Sequence, residues 1–256
     1  MGWTSHFYEQ PIIEAPPPLE PLPTFPLIAA VHVVAILALS LMLHKFVLTP
    51  AFDAFTAVPV AVAAVLGAMV VYLPSLIYCL WAARRWGQGN VLSDLGMKVK
   101  GADIPLGFLA WIGALFSIAV LRMLIVSVGI PFASNVGGRG GSDASTRDRS
   151  IFLVGSLLAV VVAPFVEELV FRGLVLRSLR SRLSVVPAVI IQGILFGCAH
   201  ADVRFGAGNI GLVMVLSLAG MALGAVAAIA RRNGITMITH AFMNGFVFLM
   251  LYRASR

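Results

Sequence analysis

Residues 54–83 form a run of thirty positions without one charged side chain. A helix needs about 20 mostly apolar residues to cross a hydrocarbon layer roughly 30 Å thick. In that layer a chain must satisfy its own backbone groups, which restricts what it can fold into. Comparable apolar stretches cover about 27–43, 58–83 and 105–132, a fourth starts near 151, and others cover about 185–200, 210–230 and 235–252. The composition agrees: 60% of residues are hydrophobic and 11% charged, with a mean hydropathy of +0.98, where soluble domains carry about 25% charged residues. These values exclude a soluble globule, a disordered chain, a collagen-like fibre and a disulfide-stapled secreted fold. The expected fold is all-α: a polytopic integral membrane helix bundle of about seven spans, six to eight, whose four C-terminal helices form a polar, water-holding core.

Four regions divide the chain. Residues 1–26 are an acidic, Pro-rich tail with Glu9, Glu14, Glu20 and seven of the fourteen prolines; it lacks the basic start and cleavage site of a secretory signal and reads as an extended spacer. Residues 27–133 hold the first three spans. Residues 134–150, rich in glycine, serine and mixed charge, read as a flexible extramembrane loop. Residues 151–256 hold the remaining helices. Pro74 is expected to kink the second span, and Arg122 marks either a packing contact or a break in the third. Cys79 and Cys198 read as small buried hydrophobes, and His32 and His44 as packed or hydrogen-bonded core residues.

The net charge of +7 does not indicate a nucleic-acid surface, because the basic residues flank apolar runs. With a cytoplasmic N-terminus, Arg84, Arg85, Lys98, Lys100, Arg177, Arg180, Arg182, Arg231 and Arg232 lie inside, nine against seven outside the membrane on the other face. The chain is therefore expected in a multi-pass orientation in a prokaryotic cytoplasmic membrane.

Ionisable and amide side chains interrupt the apolar pattern at three places in the second half, and such residues mark functional sites by default. The first is Glu167-Glu168 followed by Arg172, the second Phe196 with His200, the third His240 with Asn244. On an α-helix Glu168 and Arg172, four apart, share a face and form a charge pair. Glu167 points about 100° away, unpaired within its helix, and is suited to take a proton from water. His240 and Asn244, also four apart, present two donors to one carbonyl oxygen. His200 can help Glu167 bind and deprotonate water, and Phe196, one turn earlier, shields that water.

The set EExxxR, FxxxH and HxxxN, in this order, resembles the CAAX-processing and bacteriocin-processing (abortive-infection) family of intramembrane proteases. The similarity covers about 92–248 and includes Leu95-Gly96, Phe171-Arg172-Gly173 and Arg232-Asn233-Gly234. The resemblance implies that Glu167 and His200 activate water and that His240 and Asn244 stabilise the oxyanion, with Glu168, Arg172 and Phe196 in support.

The resulting expectation is a glutamate-type endopeptidase acting on a membrane-associated protein or peptide within the lipid bilayer, with no nucleic-acid partner. It is expected to need no cofactor. In the alternative, Glu167, His200 and His240 hold zinc; no HExxH helix is present, and Asn244 suits an oxyanion donor better. Competing readings are a proton- or ion-coupled carrier and a non-catalytic immunity or scaffold protein on the same fold. The substrate, and whether it is prenylated, are not fixed by these residues, nor is the oligomeric state.

Overall fold

A computed structural model describes residues 24–55, 57–133 and 149–254. Most of the Pro-rich tail and of the Gly/Ser loop lies outside the described residues.

The described chain is helical. Helix α1 begins after Pro26 at Leu27–Leu43 and continues through a π-turn, His44–Leu48, into Thr49–Ala54. Helix α2, Val60–Trp86, passes Pro74 without interruption. After the short α3, Val91–Asp94, whose first turn is capped by Asn90 accepting from the Ser93 amide at 3.0 Å, α4 covers Asp103–Ser127. Helix α5 spans Ile151–Leu179, α6 Val185–Ala199, α7 Asn209–Ala230 and α8 Gly234–Ala254.

Among the described residues six helices are long and apolar enough to cross a membrane, and the chain is a multi-pass integral membrane protein. The stretch expected as a fifth full span is the exception. Helix α6 has 15 residues, about 22 Å at 1.5 Å per residue, and stops short of the full layer. The third span ends at Ser127 instead of continuing to 132, because the chain turns at Gly129 with φ +72°, a conformation natural to glycine. Arg122 does not break this helix. Near its end the side chain is exposed and its guanidinium lies 5.1 Å from the centre of the Phe132 ring.

Helix α5 is the axis of the bundle. All residues from 168 to 179 are buried, as befits a helix surrounded on every side. Leu169, Val170, Leu174 and Val175 pack with Ala29 and Val33 of α1, Cys79 and Ala82 of α2, and Ala188 and Phe196 of α6. By contrast α4 turns Phe108, Phe116 and Met123 outward, the face expected toward lipid. The two thiols differ: Cys79 is buried, but Cys198 is exposed, on the outer side of the short helix. His32 is likewise exposed, paired with the Tyr78 hydroxyl at 3.0 Å, whereas His44 packs beside Gly67.

Small residues allow α6 and α7 to approach. A Cβ at Gly197 would stand 2.6 Å from the Val213 carbonyl oxygen, and one at Gly220 would stand 3.0 Å from the Gly193 Cα, so only glycine permits backbones this close. The approach brings the Gly220 carbonyl within 3.1 Å of Arg172 Nη2.

At the basic end the connecting turns lock together. Asn233 donates from its backbone to the Gly96 oxygen at 2.7 Å and from its side chain to the Leu95 oxygen at 2.9 Å. Arg232 pairs with the fully buried Asp103, its Nε 3.2 Å from Oδ1. This bond holds the Arg232 guanidinium above its usual range. The Leu95-Gly96 step and the Arg232-Asn233-Gly234 turn are thus two halves of one junction.

Candidate active site

The region around the paired glutamates is not plain α-helix. Two π stretches, Leu158–Val162 and Glu168–Val175, flank the short α segment Ala163–Glu167. Such i→i+5 turns are rare and concentrate at functional sites. The cause of the first is legible around Pro164. The Ala163 amide bonds back to the Leu158 oxygen, and the next residue is a proline, which has no N–H to offer. Asn244 fills the gap, its Nδ2 donating to the Ala159 oxygen at 2.7 Å.

Despite the π register, Glu168 and Arg172 form the expected pair at 2.9 Å, both wholly buried. Glu168 Oε1 also accepts from His240 Nδ1 at 3.1 Å. A carboxylate oxygen only accepts, so Nδ1 carries the hydrogen and Nε2 is the atom left for chemistry. That Nε2 stands 3.7 Å from Glu167 Oε2. Glu167 is unpaired within its own helix, but the Tyr72 hydroxyl of α2 donates to its Oε1 at 3.0 Å. Glu167 keeps 14% side-chain exposure while Glu168 keeps none.

Phe196 joins the motifs. Its ring centre lies 5.2 Å from that of Phe171, 4.8 Å from that of His200 and 5.7 Å from that of His240. The Arg172 guanidinium carbon sits 4.7 Å above it, a cation–π contact in a dry setting. His200 caps α6, and its Nδ1 lies 2.8 Å from the Phe196 oxygen. A carbonyl oxygen only accepts, which fixes the hydrogen on Nδ1 and leaves Nε2 of His200 as an acceptor.

The two histidines lie at different depths, and this ring bridges them. Counted from the basic end at 1.5 Å per residue, His240 lies about 9 Å along α8, Phe196 about 16 Å along α6 and His200 about 22 Å. Phe196 reaches both.

Six of the seven residues singled out in the sequence, Glu167, Glu168, Arg172, Phe196, His200 and His240, thus form one connected cluster. Asn244 lies one turn beyond His240, bonded to α5. Sequence reasoning missed Tyr72, because only ionisable and amide side chains were sought in the spans, whereas a tyrosine in a charge-free run also carries a donor. It missed the far-end anchor too: Lys45 donates to the Ala201 oxygen and lies 3.9 Å from Asp202, which in turn binds Arg204 at 2.7 Å. These bonds tie the residues just after His200 to α1. They hold the Asp202 carboxyl low, at about 2, the Arg204 hydrogen bond contributing most. Among the described residues no group of three or more His, Cys, Asp or Glu side chains is arranged to hold a metal ion.

The fold and cluster define a helical membrane protein with an acid–histidine site inside the bundle. Residues 149–246, which hold all three motifs, match the family described as type II CAAX prenyl endopeptidase Rce1-like, and this bears out the resemblance seen in the motifs. The chain is also similar to a Bacillus subtilis (strain 168) protein named "Putative membrane peptidase YdiL", 24% identical over 94 residues, 37% of this chain. The chain spans about 36% of the length of that curated relative. No solved structure matches it.

Proposed function

We propose that the chain is an intramembrane endopeptidase that hydrolyses a peptide bond of a membrane-associated protein or peptide with water activated by Glu167 and His200. The observation that carries this reading is the 3.7 Å separation of Glu167 Oε2 from His240 Nε2. It is short enough for one water oxygen to touch both at ordinary hydrogen-bond lengths near 2.8 Å. Tyr72 occupies the other oxygen of Glu167 and so orients the carboxylate.

In the proposed reaction Glu167, aided by the acceptor Nε2 of His200, takes a proton from water as its oxygen attacks the peptide carbon. The carbonyl electrons move to oxygen, where His240, with Asn244, stabilises the negative charge. Collapse of the tetrahedral species breaks the C–N bond, and the proton held by Glu167 passes to the leaving amine. Charge balance favours this assignment. Two carboxylates face one guanidinium, so the buried cluster is neutral only with one further proton, which His240 and Glu167 are placed to share. Glu168 acts as a positioning residue: it fixes the His240 tautomer and is itself held by Arg172.

No cofactor enters this scheme. The proposed site opens in a prokaryotic cytoplasmic membrane with the basic end inside, following the positive-inside rule. To test it, the purified chain in proteoliposomes is incubated with peptides ending in a Cys-aliphatic-aliphatic-X tail, prenylated and unprenylated, and with membrane-bound leader peptides. Product masses are read by mass spectrometry. Cleavage of at least one set by the wild type and none by Glu167→Gln supports the proposal; equal cleavage by both removes Glu167 from the mechanism.

A further inference from the structure

A second polar feature lies at the basic end and shares only Arg172 with the glutamate–histidine cluster. A cavity of about 300 Å³ opens between the end of α5, the start of α6 and the end of α7, with Arg172, Arg177, Arg180, Arg231 and Asn233 in its lining. No carboxylate lines it among the described residues; Asp94, whose charge reaches Arg177, lies outside the lining. Arg177 is only 6% exposed, and its Nη1 has no hydrogen-bond partner. A buried guanidinium with an unserved N–H is costly unless an anion completes it.

The other wall is apolar. Leu176 and Val185 contribute to it, and Val185 and Val186 at the start of α6 are 41% and 67% exposed. Cationic groups beside an apolar, lipid-accessible wall at a span end match an amphiphile's head and the start of its chains. The volume is at the lower limit of ligand pockets, roughly 300–1,000 Å³, and suits a phosphate-sized head.

We infer that this cavity binds the phosphate of an anionic amphiphile, a phospholipid head seated on Arg177, Arg180 and Arg231 with its chains along α6. The site is independent of peptide hydrolysis and stands or falls separately from the proposed activity. Its phosphate chemistry has two sources, a lipid head or free phosphate, and the probes separate them.

The full chain in neutral detergent is titrated with phosphatidylglycerol, phosphatidylcholine or inorganic phosphate, and bound species and thermal midpoint are read by native mass spectrometry and a melting assay. Phosphatidylglycerol is expected to bind and raise the midpoint, phosphatidylcholine much less. The double variant Arg180→Gln/Arg231→Asn is expected to bind phosphatidylglycerol about tenfold more weakly or worse, since two charge-assisted contacts are removed. Inorganic phosphate showing the same loss in the variant also supports the anion site and identifies its ligand as soluble. Arg180 is exposed, so the single variant Arg180→Gln keeps the fold even if the double variant does not, and it is expected to weaken binding in the same direction. Arg253→Gln, at the far end of α8, serves as the control and leaves binding unchanged. No binding by wild type, or equal binding by wild type and both cavity variants, overturns the inference.

Discussion

Tyr72→Phe removes one oxygen atom and tests whether the carboxylate of Glu167 must be held in place. The ring is partly buried and packs against the bundle core, and phenylalanine keeps it there, so the fold survives. What is lost is the 3.0 Å bond from the hydroxyl to Glu167 Oε1. A hydrogen bond to a charged group contributes about 1.5–3 kcal/mol, and each 1.36 kcal/mol of barrier is tenfold in rate. Without the bond, the carboxylate is free to rotate Oε2 away from His240. The expected result is a fall in kcat of about 10- to 150-fold, with KM little changed because Tyr72 acts through Glu167. Steady-state cleavage in proteoliposomes, at matched protein and lipid, reads both constants. A variant within about twofold of wild-type kcat would refute the positioning role and, with it, the reading of the 3.7 Å gap as a poised site.

Four further outcomes follow from the geometry. His200→Ala and His240→Ala each abolish cleavage while circular dichroism and gel filtration stay as in the wild type. Asn244→Ala retains measurable turnover, reduced on the order of 10² to 10³ as for loss of one oxyanion donor, as an end-point assay with long incubation would detect. Arg172→Met leaves Glu168 buried without its partner and destabilises the protein by about 3–5 kcal/mol, read as a lowered melting midpoint that the double change Glu168→Gln/Arg172→Met partly restores. Asp202, held at about 2 chiefly by Arg204, titrates near 3.9 when unfolded. Its stabilising contribution is therefore full above about pH 4 and lost as pH falls through about 2; Asp202→Asn is less stable at pH 5 and shows a flatter acid limb in melting curves.

The spans and the three motifs were legible because each is a local pattern: charge-free length marks a span, and polar residues four apart on one apolar helix mark a shared face. The Glu168–Arg172 pair survived even though the helix there is π, since a buried charge pair outweighs a small change in angular spacing. The π-turn itself was not legible. Pro164 hints at it, but the turn needs Asn244 from another helix to serve the Ala159 carbonyl. The shortness of α6 was legible, since its apolar run was bounded at about 185–200 and the helix ends at Ala199; what was not legible is the Asp202–Asn209 turn, bonded through the Asn209 side chain, that follows it. Tyr72 lies outside the part that resembles the family, and nothing local in α2 distinguishes a hydroxyl that meets a carboxylate from one that meets lipid.

The measurement that bears most directly on the central claim compares the termini of membrane proteins, by mass spectrometry, in cells expressing the wild type or Glu167→Gln at matched levels. The account predicts new termini in wild-type cells alone, sharing a sequence pattern that identifies the cleaved bond. Identical termini in the two, together with a deletion phenotype that Glu167→Gln rescues, would contradict it.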